Sequence, residues 1–101
     1  MSRPQPENAV RRGAKTLLEF KGYFCSIVTN RAIMNKKGQM YFQGSPGLPD
    51  LLAIRGGCVV AVECKTFSGM LSESQKAWRQ EWERHGGHYV VYRGPNDLRD
   101  Y

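Results

Sequence analysis

The chain has 101 residues, 41% of them apolar and 24% charged, which is ordinary for one small folded soluble domain and excludes a low-complexity chain. Three cysteines, odd in number and without a C-x-x-C pair, argue against a disulfide framework. No apolar stretch approaches the roughly 20 residues of a membrane span and no signal-peptide core follows Met1, so a reducing, cytoplasmic setting without membrane partners is expected.

Net charge is +6 and the pI is about 9.5. Such a balance suits a polyanionic partner such as nucleic acid, or simply aids solubility; charge alone does not decide.

Met1 to Pro6 reads as a short extended arm. From Glu7 to about Lys21, Val10, Ala14, Leu17 and Leu18 recur at helical spacing, and Gly22 supplies the stop. Glu7 lies over the inward stripe; near a helix N-terminus it also complements the macrodipole. Arg11, Arg12, Lys15 and Lys21 are expected on the solvent side. Tyr23 to Thr29 is aromatic and β-branched, as strands are. Arg31 to Gly38 is a polar, basic excursion, and Met40 to Phe42 a short returning strand that would complete a first hairpin. Gly44 to Pro49 crowds two prolines and two glycines into six positions, so it forms a rigid loop leading into Asp50.

Two apolar runs, Leu51–Ile54 and Cys58–Val62, flank Gly56-Gly57, a dipeptide suited to a two-residue hairpin turn. That turn sets Arg55 opposite Cys58, Ile54 opposite Val59, and Asp50 opposite Glu63; a three-residue turn would shift the register and separate the two acids. Opposed residues share a sheet face with Cβ atoms about 4.5–5.5 Å apart. Lys65, two residues beyond Glu63, projects to the same face, and Cys64 to the other. Thr66 to Met70 is a loop. A helix follows from Ser72 to about His85, with Ser72 and Gln75 spaced as a capping box and Leu71, Gln75, Trp78 and Trp82 as its inward stripe. Gly86-Gly87 ends it, His88 to Tyr92 is a last strand, and residues 95–101 form a tail or short helix. The fold class is α/β, a small mixed β-sheet flanked by helices in the order α-β-β-β-β-α-β, with a right-handed crossover placing His88–Tyr92 parallel to Val59–Glu63.

Two facing carboxylates repel unless a cation lies between them. A divalent metal answers that problem: Mg2+ takes one or two carboxylates and completes its shell with waters and substrate phosphates. Lys65 on the same face could orient or deprotonate an attacking water or stabilise a charged phosphoryl transition state. The bland alternative is a solvated hairpin face with an ordinary Glu–Lys pair. It is weakened because both strands are almost wholly apolar and their ionisable groups cluster at one end. His85 and His88, without acidic or thiol neighbours at ligand spacing, read as surface or helix-end residues, and Trp78 and Trp82 as core.

Pro49-Asp50, twelve intervening residues, then Glu63-Cys64-Lys65 resembles the PD…(D/E)xK signature of a large nuclease superfamily. The wider frame runs from Gly47-Leu48-Pro49-Asp50 through Val62-Glu63-Cys64-Lys65-Thr66, Leu71-Ser72, Gln75 and Trp78 to His88-Tyr89-Val90-Val91, and is similar to the VRR-NUC branch. The resemblance implies one nuclease domain over residues 1–101 with a restriction-endonuclease-like core. It implies Mg2+, or Mn2+ in its place, held by Asp50, Glu63 and the backbone carbonyl of Cys64. Lys65 would then be the catalytic lysine, Gln75 an active-site residue in preference to the rival reading as a cap, and Glu7 an auxiliary acid. Stand-alone members of the branch resemble phage-type homodimers that cleave branched DNA such as four-way (Holliday) junctions, in a host cytoplasm. Arg3, Arg11, Arg12, Arg31, Lys36 and Lys37 are candidate contacts to DNA phosphates, binding backbone rather than reading sequence. The rival expectations are a nonspecific or site-specific duplex nuclease and, from another class, a non-catalytic nucleic-acid-binding module.

Overall fold

The computed structural model describes residues 7–29, 31–43 and 45–101, with the backbone alone described for residues 31–33 and 41–43. Its elements are α1 (Glu7–Phe20), β1 (Phe24–Ile27), β2 (Arg31–Met34), β3 (Met40–Gln43), β4 (Leu51–Arg55), β5 (Cys58–Cys64), α2 (Glu73–Arg84), β6 (His88–Tyr92) and a 3-10 helix at Pro95–Leu98. Four strands form a mixed sheet in the order β1-β4-β5-β6, and β2-β3 form a separate two-stranded sheet. The mixed α/β class therefore holds. The strand count does not, because Arg31–Met34 is a fifth strand ahead of α2.

The expected first hairpin is also rearranged. Met40–Gln43 pairs with Arg31–Met34, whereas Phe24–Ile27 pairs antiparallel with Leu51–Ile54. The cause is a strong local turn. Asn35 Oδ1 accepts from the N–H groups of both Lys37 and Gln39 at 2.9 Å, and Gly38 takes φ +78°. Such an Asx-type turn favours a local hairpin between the segments that flank it. The arm at residues 1–6, with Arg3, lies outside the described residues, as does the side chain of Arg31.

Helix α1 forms as its periodicity predicts, with Val10, Ala14 and Leu18 buried. Gly22, at φ +92°, ends it while the Tyr23 N–H donates to Leu18 O at 3.0 Å. The apolar stripe meets Leu51 and Ala53 of β4, Val60, Val62 and Cys64 of β5, and Val90 and Tyr92 of β6. Leu98 of the 3-10 helix is fully buried in the same cluster, so the C-terminal stretch is part of the core.

Gly56 and Gly57 both have positive φ, +55° and +83°, as a type I′ turn demands. The register that follows runs from Arg55 opposite Cys58 to Leu51 opposite Val62. β6 lies parallel to β5, with Val60 opposite His88 and Cys64 opposite Tyr92. Because α1 covers the Val60–Val62–Cys64 face, Glu63 projects to the other, where α2 packs.

Helix α2 sits differently from α1. Ser72 is its N-cap, accepting from the Gln75 N–H, but none of its residues is fully buried. Trp78 and Trp82 are half-buried rather than core, stacked at 5.0 Å between ring centroids. The Trp82 indole N–H donates to His88 O at 2.7 Å. The entry loop anchors the first turn of α2: Gly47 has φ +84°, and a Cβ there would lie 2.2 Å from the Ser74 carbonyl oxygen. Only glycine permits that approach. Among the described residues no helix is long and apolar enough to cross a membrane.

Candidate functional site

Continuing the β4–β5 register one step past the ladder sets Asp50 across from Glu63, at the end of the hairpin away from its turn. Pro49 is buried, and Asp50 O accepts from the Val28 N–H at 2.8 Å, so β1 holds the Asp50 backbone. The Asp50 side chain turns inward, where Oδ2 accepts from the Cys64 N–H at 2.8 Å. Cys64 itself points its thiol into the core, and burial first, then the Asp50 charge, pushes that thiol up to about 12. It stays protonated and takes no part as a thiolate.

Glu63 is the only charged residue buried among the described residues, 3% exposed. Gln75 Nε2 donates to its Oε1 at 2.9 Å, and Lys65 Nζ stands 3.6 Å from the same oxygen. Its other oxygen, Oε2, is buried without a partner. Burial foremost, then the Asp50 charge, raises the Glu63 carboxyl to about 7, against the opposing pull of Lys65. Helix α1 contributes a third acid. Carboxylate oxygens of Glu7, Asp50 and Glu63 all lie within 4.8 Å of one another.

Gln75 both caps α2 and contacts Glu63. Its Oε1 accepts from the Ser72 N–H at 2.8 Å, closing the capping box, while its Nε2 reaches Glu63. One carboxamide has an acceptor and a donor end, so a cap and a site contact do not compete. The cap fixes the rotamer that delivers the donor.

Arg11 departs from its expected place on the solvent side. Its guanidinium lies 3.4 Å from Asp50 Oδ1 with the side chain 30% exposed, and its Nε is buried. The signal was present in the chain: Arg11 follows Glu7 by four residues and precedes Leu18 by seven, both helical repeats on the inward stripe. Each strand carboxylate thus has its own cation, Arg11 for Asp50 and Lys65 for Glu63, and the three acids still exceed the two bases. Arg12, Lys36 and Lys37 are exposed. His85 caps α2 and His88 lies against Tyr101, so neither enters the site.

An all-oxygen donor set is the kind that takes hard divalent cations. Three acids at this separation, one with an orphaned buried oxygen, fit such an ion. No family model matches the chain, and neither the curated proteins nor the solved structures searched contain a match to it.

Proposed function

We propose that the chain is a Mg2+-dependent endonuclease that hydrolyses DNA phosphodiester bonds, with a restriction-endonuclease-like core. We further propose that it acts as a homodimer on branched DNA such as four-way junctions. The observation that carries this reading is the buried Glu63, with one oxygen unpartnered, grouped with Asp50 and Glu7 and beside Lys65. A solvated surface pair would leave no orphaned carboxylate oxygen in a dry site. The resemblance of Pro49-Asp50…Glu63-Cys64-Lys65 to the PD…(D/E)xK signature supports the same chemistry, and the net charge of +6 supports a polyanionic substrate.

Asp50 and Glu63 would hold the cation, joined by the Cys64 carbonyl as the resemblance implies, with Glu7 beside them. When bound, the ion would polarise a phosphoryl oxygen, acidify the attacking water and stabilise the leaving oxygen. The remaining work falls to the chain's own groups. Gln75 fixes the Glu63 carboxylate and Arg11 steadies Asp50. Lys65, tethered near Glu63, orients the attacking water or offsets the charge gathering on the phosphoryl group. Arg12, Lys36 and Lys37 contact backbone phosphates. A two-fold dimer would set two such sites against symmetric strands.

One observation favours a second reading, a nucleic-acid-binding module without catalysis: Arg11 and Lys65 already face the two strand carboxylates. Labelled four-way junction, flap and linear duplex, each incubated with Mg2+ or with EDTA, separate the cases. Metal-dependent cutting of the junction alone is expected. Cutting of all three indicates a nonspecific nuclease, and binding without cutting leaves only the module.

A further inference from the structure

The loop between β5 and α2 carries an arrangement that the site chemistry does not use. Phe67 is 91% exposed and Met70 78% exposed, on a turn that begins directly after Lys65. Single apolar side chains on a surface are ordinary. Here, however, the backbone beneath them is fastened. Arg93 Nη1 donates to the carbonyls of both Thr66, at 2.8 Å, and Gly69, at 2.6 Å. The Gly69 N–H closes the turn onto Thr66 O at 3.1 Å. Gly69 also lies on the Lys65 stem, since a Cβ added there would meet Lys65 Cδ and Thr66 Oγ1 at 3.4 Å. A guanidinium spent on two loop carbonyls is a strong constraint for a five-residue excursion, and its result is to hold an aromatic ring out in solvent.

We propose that Phe67, with Met70 beside it, is a wedge that enters the base stack of the DNA next to the bond being cut. The inference rests on the nuclease reading and deepens it, naming the feature that selects distorted or branched substrate. Apolar side chains placed between base steps unstack them and kink the duplex. The unstacking cost is least where stacking is already interrupted, as at a branch point, so a wedge discriminates by structure rather than sequence. Phe67 follows Lys65 by two residues, at most about 7 Å along the chain, which is the span of two base steps. DNA is favoured over a protein partner because the tip follows Lys65 by only two residues and the chain carries a net charge of +6.

The test uses a four-way junction carrying 2-aminopurine at the branch point, in Ca2+ without Mg2+, with binding followed by anisotropy. Wild-type protein raises the fluorescence as the base unstacks. Phe67→Ala still binds but loses the rise, Phe67→Trp restores it, and cleavage of the junction in Mg2+ falls roughly tenfold in the alanine variant. Its thermal midpoint matches wild type, because the exposed ring contributes little packing. An undiminished rise in Phe67→Ala overturns the wedge while leaving the nuclease reading intact. Light scattering that shows Phe67→Ala dissociating a wild-type dimer overturns it too, making the ring a contact between copies. Failure of the wild type to bind any of the DNA substrates sinks the wedge and the nuclease reading together.

Discussion

The two faces of the four-stranded sheet are built to different specifications. On one, α1 presses Val10, Ala14 and Leu18 onto Leu51, Val60, Val62 and Cys64, leaving most of them with no exposed surface. On the other, α2 buries none of its residues completely, and beside the small Ala61 the buried group is a carboxylate, Glu63. Alternation along β5 makes the two faces inseparable: Val62 and Cys64 belong to the first, Glu63 and Lys65 to the second. The dry face supplies the stability that lets Asp50 and Glu63 sit together with Glu7, which α1 brings to them from its first turn.

The contrast breaks most severely at Leu18, which is fully buried. Leu18→Ala is expected to cost about 2–5 kcal/mol in urea unfolding. A cost below 1 kcal/mol would mean the α1 face is not the stabilising one.

Next in size is the acidic face itself. Glu63 is raised from 4.5 to about 7 in the folded chain, so the native state holds a proton that the unfolded chain releases. Its contribution is fully present below about pH 4.5 and is lost as pH rises through about 7. The loss amounts to as much as about 3 kcal/mol in metal-free protein. Urea unfolding in EDTA at pH 5 and pH 8 should show this decline, and Glu63→Gln should flatten it. Equal slopes in the two proteins would mean that Glu63 is already ionised at pH 5.

A smaller effect is expected where the entry loop meets α2. Gly47→Ala forces a Cβ against the Ser74 carbonyl at positive φ, costing about 1–3 kcal/mol. Because Ser74 lies within the turn that carries Gln75, cleavage should fall more than stability alone explains. Unchanged cleavage would separate the loop from the site.

The legible parts of this fold are those governed by local chemistry. Gly56-Gly57 specified its turn, the turn specified the register, and the register brought Asp50 towards Glu63. Ser72 and Gln75 were readable as a cap because the capping box is a matter of spacing. The errors arose where one local rule outweighed another. Arg31–Met34 read as a basic excursion, yet Asn35 closes a hairpin that recruits it as a strand. Arg11 looks solvated by its charge, yet its place on the stripe of Glu7 and Leu18 turns it towards Asp50. The double use of Gln75 needed the distances, since spacing cannot show that one amide faces two partners.

The proposed chemistry turns on Lys65, whose ammonium is held 3.6 Å from Glu63 Oε1. Lys65→Ala should bind the four-way junction as tightly as wild type to within a few-fold while losing Mg2+-dependent cleavage, measured on the same labelled substrate. Cleavage by Lys65→Ala at the wild-type rate would contradict the account and remove the lysine from the mechanism.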